Sequence, residues 1–193
     1  MKWVRNRDTK GLIITVSGPH GTGKSTYAKA LAEAFRLRYV SAGELFRDLA
    51  RQKGMTLEAF SRIAAEDPTI DRAIDEMTKA EAKKGAVVID AQLSAWMVKE
   101  LADVKVLIVA VDDVRFRRIA ERDGITVEEA KKQTLARELI QKQRYDRYYG
   151  IDVSNMSIYD LKIDASLYPL EKAKSVVIDS VRRFMDKGEL DGS

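Results

Sequence analysis

Eight residues, Gly18-Pro19-His20-Gly21-Thr22-Gly23-Lys24-Ser25, with Thr26 next, constrain this chain more than any other stretch. They match G-x-x-x-x-G-K-[ST], the pattern of a phosphate-binding loop, which four fixed positions meet by accident in roughly one chain of this size in a hundred. The flanks fit the pattern. Leu12 to Ser17 reads as a buried parallel strand entering the loop, and Lys24 to Phe35 as the helix leaving it, with Tyr27, Ala30, Leu31, Ala34 and Phe35 as its apolar stripe. Glycines let backbone N–H groups turn inward towards phosphate oxygens, and the helix N-terminus adds a fixed partial positive charge there. Lys24 reaches β- and γ-phosphates in such loops, and the Ser25 hydroxyl is a ligand for Mg²⁺. A nucleoside triphosphate is the expected ligand.

The 193 residues suit one domain with room for one small insertion, and 45% hydrophobic with 33% charged residues describes a globular chain able to bury a core. No run approaches a membrane span, and residues 1–10 are too polar for a secretory signal, so they read as a short basic extension and the expected location is the cytoplasm. Without cysteine there are no disulfides, zinc-thiolate sites or thiol catalysis. The net charge of +4 is spread as interleaved signs along the helices, which reads as solvated faces and not as a nucleic-acid track.

Further strands are expected at Tyr39–Ser41, Ala86–Asp90, Lys105–Val111 and Ile158–Ile163, the last interrupted by Asp160 and Lys162. Helical patterns separate them, so the chain alternates β and α and calls for a parallel sheet covered on both faces. Two helical stretches exceed what a crossover needs. In the first, about 43–85, one helix shows Leu45, Phe46 and Leu49, a second Leu57, Phe60 and Ala64. The third has Asp67 as N-cap, Pro68 at its first position, Ile70, Ile74 and Met77 as its stripe, and Gly85 past its end. The second, about 112–149, is rich in arginine, with Asp112 and Thr126 as N-caps and Thr126–Glu129 as a capping box. A final helix opens near Pro169 and buries Ala173, Val177, Val181 and Phe184.

Several segments together resemble the archaeal type of cytidylate kinase. They are Ser41-Ala42-Gly43-Glu44-Leu45-Phe46-Arg47, Ile70-Asp71, Ile74-Asp75, Ala95-Trp96-Met97, Arg115, Arg118-Ile119-Ala120, Arg122, Arg144-Tyr145, Tyr149-Gly150-Ile151-Asp152 and Ser157-Ile158-Tyr159-Asp160-Leu161. The likeness runs over nearly the whole chain. It implies the α/β, three-layer fold of phosphate-loop nucleoside monophosphate kinases: a single domain over 1–193 and a five-stranded parallel sheet in the order 2-3-1-4-5. It implies that one insertion binds the monophosphate and the other closes as a lid. The implied reaction transfers phosphate from ATP, with Mg²⁺, to CMP or dCMP, in a monomer whose partners are small nucleotides, without nucleic acid or membrane.

Individual residues carry two readings each. Ser41 and Glu44 have the S-x-x-E form of a capping box, and a helix start there also suits an acceptor phosphate beside Gly43. Arg47, one turn in, suits bidentate contact with that phosphate. Asp71 and Asp75, at i and i+4, either accept from the exocyclic amine of cytosine or are solvated charges. Asp90 ends its strand beside the loop, where a carboxylate holds the Mg²⁺ shell or caps the next helix. Arg118, Arg122 and Arg144 are the expected catalytic cations with Lys24. Arg115 and Arg137 are weaker candidates, with Glu121, Glu128 and Glu138 available as ion-pair partners.

The chain departs from the family where Asp90 is followed by Ala91-Gln92 instead of Gly-Arg. Gln92 donates a hydrogen bond but brings no charge, a loss of roughly 1.5–3 kcal/mol in acceptor binding. His20 occupies a variable loop position and has no expected role. Two alternatives stand beside this reading: another monophosphate kinase, for AMP or UMP, and a non-kinase ATPase associated with RNA.

Overall fold

The structure, a computed structural model, describes residues 11–190, and the expected basic extension at 1–10 lies outside them. Its strands are β1 (Ile13–Ser17), β2 (Arg38–Ser41), β3 (Val87–Asp90), β4 (Val104–Val109) and β5 (Leu161–Asp164). Its helices are α1 (Lys24–Phe35), α2 (Ala42–Gln52), α3 (Leu57–Glu66), α4 (Pro68–Lys83), α5 (Ser94–Met97), α6 (Asp112–Asp123), α7 (Val127–Tyr149) and α8 (Leu170–Leu190).

All strand pairs are parallel, as the alternation of strand and helix predicts, in the order β2-β3-β1-β4-β5 that the family resemblance implies. The physical basis is the double-sided burial of β1 and β3, every residue of which is buried. Ile14, Val16, Val88, Val106 and Ile108 pack against Leu31 of α1 and against Val177 and Val181 of α8. On the other face Ile13, Val87 and Ile89 meet Ala82 and Val98. Register brings Ser41, Asp90 and Val16 level across β2, β3 and β1, so Ser41 and Asp90 reach the C-terminal edge beside the loop that follows β1. In open α/β sheets ligands bind at that edge, where the strand order reverses.

The stretch between β2 and β3 has a small core of its own, in which Phe60, Ala50, Ile70 and Ile74 are buried and the Phe46 and Phe60 rings lie 4.8 Å apart. Met77 is exposed and Thr78 buried in its place, its hydroxyl satisfied by Ile74 O at 2.8 Å. Asp67 caps α4 as expected, accepting from Thr69 N. Thr126 and Glu129 close the expected capping box.

Other boundaries move. α6 is preceded by Val111 without a side-chain cap, and Asp112 is the first helical residue, paired with Arg115 three positions on. Ser41 accepts from Glu44 N at 3.4 Å, but the Glu44 carboxylate turns to Lys29 instead of closing the box. β5 starts at Leu161, later than expected, because residues 156–158 form a 3₁₀ turn and Asp160 is spent on another task. Its carboxylate takes both the backbone N–H and the buried Nζ of Lys105, at 2.8 and 2.7 Å, which pins β5 beside β4.

Candidate functional site

The loop lies between β1 and α1, and its backbone demands glycine. Gly21 has φ 78°, and a Cβ there would sit 2.6 Å from the carbonyl oxygen of Arg115; one at Gly18 would sit 2.1 Å from Ile108 O. Strand β4 and helix α6 therefore press directly on the loop. In the first turn of α1, Thr26 and Tyr27 donate to Gly23 O, while Lys24 and Ser25 have no helical acceptor to reach. Lys24 Nζ donates to Pro19 O at 3.1 Å, and Thr22 Oγ1 to the same oxygen at 3.0 Å. Burial holds the Lys24 amine below its usual range, opposed by the carboxylates of Asp90 and Glu138. A cation in this place is incompletely solvated and gains from a dianion.

Beside it, Asp90 is buried and accepts from the Tyr39 hydroxyl at 2.9 Å. Burial and then the Asp90 charge push the Tyr39 phenol up to about 12, and Ser25 and Ser41 flank it. A hydroxyl and a carboxylate, Ser25 and Asp90, are hard oxygen donors bridged here by a neutral phenol, a donor set that suits Mg²⁺.

The arginines after β4 divide by task. Arg115 is buried, donates from Nε to His20 O at 2.8 Å and pairs with Asp112 and Glu138, so it anchors the loop. Arg118 reaches Thr22 O at 3.3 Å and Ala165 O at 3.1 Å, and it borders the cavity. Arg122 is 67% exposed and turns its fork to Asp123, although it still borders the cavity.

Helix α7 crosses the mouth of the loop and continues over the α4 side. Glu138 accepts from His20 N at 3.0 Å, and His20 Nε2 donates to Gln141 Oε1 at 2.8 Å. Further along, Arg144 pairs with Asp71 at 2.8 Å, Tyr145 donates to Gln92 Oε1 at 2.9 Å, and Tyr149 donates to Asp75. Asp71 and Asp75 are thus not solvated charges. Burial raises both carboxyl groups, against Arg144 for the first and the Tyr149 hydrogen bond for the second. Arg144 Nε is buried without an acceptor.

Between these walls lies a cavity of about 1500 Å³, bordered by Lys24 and Ser25 at one end, by Gly43, Arg47, Asp71 and Asp75 at the other, and by Asp90 and Gln92 on its floor. Single-ligand pockets measure roughly 300–1,000 Å³, so this one has space for two nucleotides. It collects Lys24, Ser25, Ser41, Gly43, Arg47, Asp71, Asp75, Asp90, Gln92, Arg118, Arg122 and Arg144, separated by up to 120 positions in the chain.

Sequence reasoning missed Tyr39, Gln141 and the loop-facing role of Glu138. The signal for the α7 residues was present: 137, 138, 141, 144, 145 and 149 follow i, i+3, i+4 spacing along one helical face. No periodicity marks Tyr39, whose hydroxyl reaches Asp90 only across the β2–β3 pairing.

A family model described as an AAA domain matches residues 17–153. Among curated relatives, the cytidylate kinase of Staphylothermus marinus is 45% identical over 174 residues, covering 90% of this chain and 98% of that protein. The cytidylate kinase of Aeropyrum pernix is 47% identical over 168 residues, covering 87% and 98%. Among solved structures, a gluconokinase from Sinorhizobium meliloti superposes with a TM-score of 0.63 at 16% identity, covering 97% of this chain and all of that one. That last likeness concerns the fold alone.

Proposed function

The chain belongs to the cytidylate kinase family, as it does to the AAA domain family, and from that premise we propose that it transfers the γ-phosphoryl group of ATP to CMP or dCMP. One observation carries this reading: a single cavity joins the phosphate-loop end, with Lys24 and Ser25, to an acceptor end with Asp71 and Asp75.

ATP lies with its phosphates along the loop, its β- and γ-oxygens facing Lys24 and the N-terminus of α1. Arg118, beside Thr22 O and Ala165 O, borders the donor base. The monophosphate lies at the opposite end, its phosphate towards Ser41, Gly43 and Arg47 and its base towards Asp71 and Asp75. A carboxylate at the Watson–Crick edge accepts from the cytosine amine and repels the carbonyl that uracil has there, so these two residues favour CMP. Ser25 and Asp90 hold Mg²⁺ with the donor, and the metal, when bound, neutralises charge on the β- and γ-phosphates.

No general base is required. The acceptor phosphate is already an anion, so one of its oxygens attacks the γ-phosphorus in line once it is aligned and the combined negative charge is neutralised. Helix α7 touches both ends, through His20 on the donor side and Asp71, Asp75 and Gln92 on the acceptor side. That arrangement lets it close over both nucleotides and exclude water, the competing acceptor. We read the enzyme as a cytoplasmic monomer acting on free nucleotides; no helix among the described residues is long and apolar enough to cross a membrane.

The test is a panel of CMP, dCMP, UMP, AMP and GMP with ATP and Mg²⁺. The expected result is a kcat/KM for CMP or dCMP at least tenfold above the rest. A preference for AMP overturns the acceptor assignment, and RNA-dependent ATP hydrolysis with no monophosphate acceptor overturns the kinase.

A further inference from the structure

A second cleft, of about 280 Å³, lies outside the cavity described above, between the C-terminal half of α4 and the turn that follows α5. Trp96, Met97 and Leu101 contribute its apolar lining, and Lys79, Lys83 and Lys99 its cations, with Glu100 as its acid. Trp96 has no part in the transfer proposed above. Its ring stands at 86° to that of Tyr159 with centroids 5.5 Å apart, so it is braced while it borders the cleft. The turn is fixed as well. Val98 is buried in one cluster with Ala82 of α4, and its carbonyl accepts from Leu101 N and Ala102 N, each at 2.9 Å.

The cations are open to a ligand. Lys83 and Lys99 have no ion-pair partner among the described residues. Lys79 lies 2.8 Å from Glu76, which is 71% exposed, and such a surface pair yields readily to a stronger anion. Lys79 and Lys83, at i and i+4, share one flank of α4. Three ammonium groups around an aromatic wall call for an aromatic polyanion. The volume is at the lower end of the roughly 300–1,000 Å³ of small-molecule sites, room for a one-ring base with its ribose. A stable protein partner would need roughly 800 Å² of buried surface on each side, far more than this cleft offers.

We propose that this cleft is a second, regulatory nucleotide site, for a pyrimidine nucleoside triphosphate whose base carries an exocyclic amine, that is, CTP. The base stacks on Trp96, the triphosphate meets Lys79, Lys83 and Lys99, and the Glu100 carboxylate accepts from the amine. Uracil has a carbonyl at that position, which the carboxylate repels.

Met97 links the cleft to the reaction, because it borders both this cleft and the large cavity. On α4, Thr78 borders the large cavity and Lys79 the cleft, and Lys79 is one turn from Asp75. A ligand in the cleft presses the flexible Met97 side chain and α4 towards the acceptor end, so it raises KM for the acceptor. This coupling rests on the kinase reading above; the binding of CTP does not.

The test uses the full chain with both reaction sites filled by a bisubstrate analogue, adenosine and cytidine joined through five phosphates. Calorimetric titration is expected to show one further equivalent of CTP bound, with UTP and inorganic tripolyphosphate about tenfold weaker or more. Lys83→Glu and Lys99→Glu change exposed side chains, so kcat and both KM values without CTP are expected to match wild type. Each is expected to weaken CTP about tenfold or more. At saturating ATP, CTP is expected to raise the wild-type KM for the acceptor about threefold or more, and to leave that of Lys83→Glu unchanged. No further equivalent of CTP, or binding to both lysine variants as tight as to wild type, overturns the site. Tripolyphosphate as tight as CTP overturns the stacked base, and UTP as tight as CTP overturns the reading by Glu100. CTP bound without a change in KM overturns the regulation. A wild type that transfers to no monophosphate overturns the kinase reading, and titration of the lysine variants without the analogue then decides the cleft.

Discussion

Tyr39 donates a hydrogen bond to Asp90 across the pairing of β2 with β3, at 2.9 Å. The phenol also neighbours Ser25, so one neutral hydroxyl links the two oxygen donors nearest the phosphate loop. The ring is held in turn by Lys29, whose Nζ lies 5.1 Å from its centroid. Asp90 is buried, and a carboxylate in that position needs donors.

Tyr39→Phe removes the donor and keeps the ring. The expected outcome is a loss of about 1.5–3 kcal/mol of unfolding free energy, the value of a hydrogen bond to a charged group. A higher Mg²⁺ concentration for half-maximal rate is expected with it, because Asp90 loses its orientation. Denaturant titration and a Mg²⁺ titration of activity measure the two. If neither moves, the phenol does not position Asp90.

In the proposed reaction Lys24, at the loop end of the cavity, is the donor that meets the transferred charge. Its Nζ donates to Pro19 O at 3.1 Å, a contact easily exchanged for a phosphate oxygen. Lys24→Ala is expected to lower kcat/KM by at least about 3 kcal/mol of transition-state stabilisation. Steady-state kinetics decide it, and near-normal turnover would remove Lys24 from the mechanism.

Asp75 is held by Tyr149 and lies on the same flank of α4 as Asp71, 13% exposed and paired with Arg144. If Asp75 reads the cytosine amine, Asp75→Ala is expected to raise KM for CMP by the equivalent of about 1–3 kcal/mol and leave KM for ATP unchanged. Equal changes in both constants would point to lost packing, and no change in either would leave the base to Asp71.

His20 makes stability depend on pH. Burial, and then the charge of Arg137, lower its pKa from 6.5 to about 4, against the Gln141 hydrogen bond, with Lys24 and Arg115 adding to the depression. Between those two values the unfolded chain binds a proton that the folded chain does not, so stability rises with pH across the window and is complete above 6.5. The swing is about 3 kcal/mol. Comparing unfolding free energies of wild type and His20→Gln at pH 7 and pH 4.5 isolates it from the carboxylates, which both share. A parallel pH response in the two proteins would show that His20 is not buried as a neutral ring.

Much of this protein was decided locally. The glycine pattern, the apolar run before it and the amphipathic helix after it specify a phosphate loop, since φ, Cβ clearance and strand burial are properties of neighbouring residues. Alternation of strand and helix then leads to a parallel sheet, and capping residues such as Asp67 and Thr126 place helix starts because they bond to amides two or three positions away. What needed the tertiary structure was the pairing of distant side chains. Arg115 and Arg118 lie one turn apart on α6, yet one is buried as an anchor behind the loop and the other borders the cavity. Asp160, which looked like a flaw in a strand, is the counter-ion of a lysine 55 positions away. Whether an arginine is committed or free depends on which acids other elements bring within reach, and that is set by packing between helices that one-dimensional periodicity does not encode.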